Sequence, residues 1–107
     1  MITILPVKRN ENECFVLSDG NKILAECVYS YKDSEIISVS SYDNDEMLME
    51  SVLRAALNHL DNLGKTIVAT KITELGPFFS KLGFIEKNGM LYVDTTEFFK
   101  TCSCDRS

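Results

Sequence analysis

The sequence predicts an α/β fold of the α+β kind, a mixed sheet that is antiparallel in its N-terminal half and carries helices packed on it. Three observations carry this. Residues 2–41 alternate apolar and polar positions between turn signals, which is the period of strands. Residues 43–63 place apolar side chains at helical spacing and stop at Gly64. A short apolar strand follows that long helix, so the chain crosses over the sheet and pairs in parallel.

Residues 2–7 read as a strand, with Ile2 and Ile4 alternating against Thr3, and residues 8–12 as a polar turn. Residues 13–18 and 22–31 are strands joined at SDGNK, where Gly20 and Asn21 tolerate a positive φ. In the second of them Ile23, Ala25, Cys27, Tyr29 and Tyr31 share one face, and Glu26 and Ser30 the other. Residues 35–41 form a third antiparallel strand. Asp43 or Asn44 caps the long helix, and Asp45 and Glu46 suit the positive end of its dipole. Leu48, Met49, Val52, Ala55, Ala56, His59, Leu60 and Leu63 form its apolar side, with Glu50 and Arg54 paired opposite. Met47, Leu53 and Leu57 fall away from that stripe. With Met49 they are expected to face a pocket or a partner chain, as in a homodimer.

Residues 66–70 read as a fully buried strand, and residues 74–82 as a second helix with Pro77 in its first turn. Residues 84–87 and 90–93 form a hairpin on Asn88 and Gly89. DTTE, residues 94–97, resembles a capping box and starts a short final helix, after which residues 101–107 fray.

A chain of 107 residues with 45% apolar and 25% charged side chains is a single soluble-type domain with one modest core. Its net charge of -5 disfavours nucleic acid and anionic membranes as partners, since either wants a basic face. No apolar run reaches the roughly 20 residues that span a bilayer. The first residues lack a basic flank before an apolar stretch, which is unlike a signal peptide, so the expected location is cytoplasmic.

The segment FFSKLGF, residues 78–84, resembles the FYxKLGF signature of the GNAT N-acetyltransferase superfamily. The hairpin FVLSDGNKILAECVYS is similar to the second and third strands of that family. The strand, long helix, Gly64 and TIVAT strand that precede the signature occur in the matching order. The resemblance covers residues 14–93, and FFSKLGF is its one sharp motif. It implies a fold that binds acetyl-CoA and transfers the acyl group to an amine. It also implies two helices between the first and second strands. This chain lacks them, because only five residues separate Val7 from Glu13.

Carried over residue by residue, the resemblance implies an acyl-CoA site at Val39, Ser40, Asn44, Asp45, Met47, Met49 and Phe79. Val39 and Ser40 lie on the strand whose backbone pairs with the pantetheine arm in the family. The pyrophosphate loop, R-G-x-G-x-G, falls on residues 44–49, NDEMLM, where every glycine is missing and Asn44 replaces the basic residue. Carboxylates at Asp43, Asp45 and Glu46 would oppose a pyrophosphate, each by on the order of 1 kcal/mol or more near a surface. The family's general-acid tyrosine is replaced by Phe79, which has no proton to give. Tyr42 is a substitute acid by position, and Glu26 and Glu35 are candidate bases, although each also reads as a surface residue.

His59, the lone histidine, reads as a partly buried structural residue on the long helix. Cys102 and Cys104 offer two metal ligands where zinc normally wants four. Cys14 and Cys27 sit opposite each other if Gly20 and Asn21 make a two-residue turn, and would complete such a site. Free thiols acting as small apolar groups are the competing reading.

These residues are expected to make a GNAT-like protein with degraded acetyl-CoA machinery, without catalytic or metal-binding residues, that binds a small molecule or a protein. One alternative is an active acyl-CoA-dependent N-acyltransferase, since positioning alone lowers barriers greatly. The other is a small cysteine-based metal or redox module.

Overall fold

The computed structural model of the protein describes residues 2–9 and 12–98. The expected tail, residues 101–107, and the pair Cys102 and Cys104 lie outside them.

Among the described residues seven strands form one open sheet: β1 (Ile2–Arg9), β2 (Asn12–Asp19), β3 (Lys22–Ser30), β4 (Glu35–Ser41), β5 (Ile67–Thr70), β6 (Ile85–Lys87) and β7 (Met90–Asp94). Their order across the sheet is β1-β2-β3-β4-β5-β7-β6. The first four are antiparallel neighbours, β4 and β5 run parallel, and β5, β7 and β6 return to antiparallel pairing. The parallel pair is the one crossover of a long helix, α1 (Glu46–Asn62), as the sequence requires. A second helix, α2 (Gly76–Lys81), joins β5 to the C-terminal hairpin. That hairpin turns on Asn88 and Gly89 at φ 55° and 81°, a conformation that asparagine and glycine adopt most readily. Among the described residues no helix lies between β1 and β2.

Within β2–β3 one residue is skipped: Leu17 faces Ala25, yet Ser18 faces Ile23. This bulge at Leu24 corrects two expectations. It breaks the shared face, so Ala25, Cys27 and Tyr29 are buried while Ile23 is exposed. It also offsets the cysteines: Cys14 stands opposite Val28 and Cys27 opposite Phe15. Cross-strand partners point to the same face and neighbours along a strand to opposite faces, so the two thiols project from different faces of the sheet.

The core forms where α1 covers the antiparallel strands. Met49, Val52, Leu53, Ala56, Leu57 and Leu60 of the helix meet Leu17, Ala25, Cys27, Tyr29, Ile36 and Val39 of the sheet. Phe78, Phe79 and Phe84 extend this core toward Val68, Leu91 and Val93. Leu53 and Leu57 are therefore buried, not turned to a partner, and Leu63 is exposed. The helix has apolar residues on a wide arc, and packing on the sheet centres the buried stripe toward Leu53 and Leu57. Each such leucine contributes about 1.5–3 kcal/mol by leaving water. Ile67 opens β5 with 52% of its surface exposed, so that strand is not buried throughout. The second helix is also shorter than expected, because residues 73–75 form a separate turn of 3₁₀ helix before Gly76.

Candidate functional site

The parallel ladder between β4 and β5 has only two residue pairs, Glu35 with Ala69 and Ile36 with Thr70. The buried Thr70 ends it. Its hydroxyl donates to the Ile36 carbonyl at 3.0 Å and accepts from the Ile72 amide at 3.2 Å. One side chain thus closes the last rung and bends the outgoing chain away. Beyond that point β4 continues to Ser41 while its neighbour has left. Ile37, Ser38 and Val39 on one side and Ile72, Glu74 and Leu75 on the other line a cleft of about 290 Å³.

The strand that borders this cleft runs directly into the start of α1. Residues 42–44 make a 3₁₀ turn with Asp43 at φ 60° and Asn44 at φ 53°, left-handed conformations that Asp and Asn tolerate best among side-chain-bearing residues. Neither residue caps the helix. The cap is Asp45, whose Oδ1 accepts from the Met47 amide at 2.9 Å. The Ser41 hydroxyl donates to the Asp45 carbonyl at 2.9 Å and fixes the turn from the strand side. Glu46, in the first helical turn, holds Lys81 of α2 at 2.7 Å. A helix N-terminus attracts anions through free amides and its dipole. Here the chain's own Asp45 carboxylate already takes the Met47 amide.

The seven positions implied by the family resemblance separate into three groups. Val39 borders the cleft, with Ser40 exposed beside it on β4. Asn44, Asp45 and Met47 lie at the helix start, and Met47 is 79% exposed. Met49 and Phe79 are core residues. Phe79 is fully buried between Phe78 and Phe84, with ring centroids at 5.3 and 4.8 Å. Tyr42 is exposed, with the Lys22 ammonium 4.0 Å above its ring. Glu26 borders a shallow hollow with Ser40, Ser41 and Tyr42, whereas Glu35 lies at the far end of β4.

A second constellation was not expected. Glu13 of β2, Tyr29 of β3 and His59 of α1 converge on one carboxylate oxygen. The Tyr29 hydroxyl donates to Glu13 Oε1 at 2.9 Å, and His59 Nε2 lies 3.7 Å from the same atom. The imidazole meets the rings of Phe15 and Tyr29 edge-on at 5.7 and 6.2 Å. With Pro6 and Val7 these three residues wall a hollow of about 300 Å³. Finding this cluster from sequence required the register of the bulged hairpin, which pairs Glu13 with Tyr29.

Burial, and then the bond to Glu13, push the Tyr29 phenol above its ordinary value of 10.0. Burial also pushes the Cys27 thiol above 9.0. Both groups are held neutral in the folded chain and ionise first in the unfolded one. Their contribution is complete below the unfolded values and is lost as pH rises past about 9 for Cys27 and about 10 for Tyr29. Unfolding free energy measured in urea should fall above pH 9 by up to about 1.4 kcal/mol per pH unit for each group. In Tyr29→Phe the fall above pH 10 should be shallower by one such group, and an unchanged slope would refute the assignment.

Among the described residues no group of three His, Cys, Asp or Glu side chains could hold a metal ion. Cys14 and Cys27 are buried thiols. No described helix is long and apolar enough to cross a membrane.

Among the described residues the sheet is open, α+β in class and mixed in strand direction, and its parallel pair, β4 and β5, diverges beside a helix start. No family model, curated protein or solved structure matches the chain.

Proposed function

We propose that this chain is a GNAT-like protein that keeps the cleft beside β4 but not the phosphate seat, and that it binds a ligand or protein without transferring an acyl group. The observation that carries this reading is the Asp45 carboxylate on the Met47 amide, where the family's loop would present free amides to a pyrophosphate. The strand order and the early end of the β4–β5 ladder support the GNAT likeness. The burial of Phe79 supports the absence of acid catalysis, since that position is occupied by a packing residue. The open cleft favours a second reading, an acyl-CoA-dependent N-acyltransferase that works by positioning alone.

An assay with acetyl-CoA and a panel of primary amines separates the two. No thiol release above the uncatalysed rate, and no stabilisation by acetyl-CoA at about 1 mM, are expected for a protein without specific affinity. Turnover that depends on the amine would establish the second reading instead.

A further inference from the structure

We propose that β4 takes up an extended, lysine- or arginine-bearing peptide segment as an added strand along its edge facing the cleft. This rests on the reading above, that the cleft binds without acyl transfer, and it names the partner. Strand β4 runs to Ser41, but its ladder with β5 stops at Ile36. Ile37 is skipped in the β3–β4 register, and past it alternate backbone N–H and C=O groups of residues 38–41 lie on the edge away from β3, where among the described residues no strand pairs. A peptide supplies matching acceptors and donors at every second residue, and main-chain bonds then give the affinity. Val39, Ile72 and Leu75 form an apolar wall that can seat alternate side chains of the incoming strand.

Charge selects the kind of peptide. Glu74 stands on the rim of the cleft, and Asp43 lies just beyond the end of β4. Neither has an ion-pair partner among the described residues. Of the cations, Lys81 is held by Glu46 and Lys22 lies over the Tyr42 ring, while Lys71 is exposed beside Ile72 and offsets one of these carboxylates. Asp45 adds a further carboxylate at the helix start. The whole chain carries a net charge of -5. A rim of this sign attracts cationic side chains flanking the added strand and repels phosphates and acidic peptides.

The test is a ¹⁵N–¹H NMR titration of the full chain with three capped hexapeptides. One alternates lysine and valine, one alternates glutamate and valine, and one is the lysine form N-methylated on alternate amides. The lysine form should shift the amides of residues 37–41 and 72–75. Its affinity should exceed those of the other two by about tenfold or more. Glu74→Lys, an exposed substitution, should keep the folded spectrum and weaken the lysine form. No shifts at millimolar peptide, shifts mapped to another face, or equal binding by the glutamate or N-methylated form would overturn the proposal. Competition by micromolar acetyl-CoA at the same amides would instead overturn the closed phosphate seat and leave the strand addition standing.

Discussion

Replacing Leu57 by alanine is expected to lower the free energy of unfolding by about 2–5 kcal/mol, through lost burial and the cavity left behind. The side chain is fully buried in the core between α1 and the sheet. A domain of this size has about 5–15 kcal/mol in total, so the variant should lose a large part of its stability. Met47→Ala on the same helix, at a position 79% exposed, should change it by no more than about 0.5 kcal/mol. Urea unfolding of the pair decides which face of α1 is buried. A small loss for Leu57→Ala together with a change in self-association would return that face to a partner chain.

Phe79→Ala should cost about 3–5 kcal/mol, because the ring is enclosed by Phe78, Phe84 and the α1 core. The companion Phe79→Tyr separates packing from chemistry. At a cleft position tyrosine would be tolerated and would supply the proton donor that the family's mechanism uses. At a fully buried position the added hydroxyl needs a partner, and leaving it unsatisfied costs about 1–3 kcal/mol. Lower stability without acyl-transfer activity is therefore the expected result. Full stability with a gain of activity would show that residue 79 faces the cleft.

The elements themselves were legible in the sequence because their signals are local. SDGNK and Asn88-Gly89 mark turns through backbone conformations that few residues accept. The wide apolar arc of residues 46–62 marks a helix but not its orientation, since only contact with the sheet selects Leu53 and Leu57 over Ala55 and Leu63. The bulge at Leu24 carries no signature of its own, and with it went the relation of Cys14 to Cys27 and the meeting of Glu13, Tyr29 and His59. At the helix start the sequence points to Asp43 or Asn44 as the cap. The path of the chain out of β4 chose Asp45 by placing Asp43 and Asn44 in left-handed turns. The divergence of β4 and β5 depends on one buried hydroxyl, Thr70, which reads in sequence as an ordinary strand residue.

On the proposed reading, the start of α1 offers no seat for phosphate. Calorimetric titration with pantetheine, 4′-phosphopantetheine and CoA tests it directly, because all three share one arm and the second adds to it only a phosphate. With Asp45 on the Met47 amide and Glu46 in the first turn, CoA should bind no more tightly than pantetheine. CoA binding tighter by about tenfold or more, with a matching gain for 4′-phosphopantetheine, would contradict the claim, since that ligand adds a phosphate to the arm and no base.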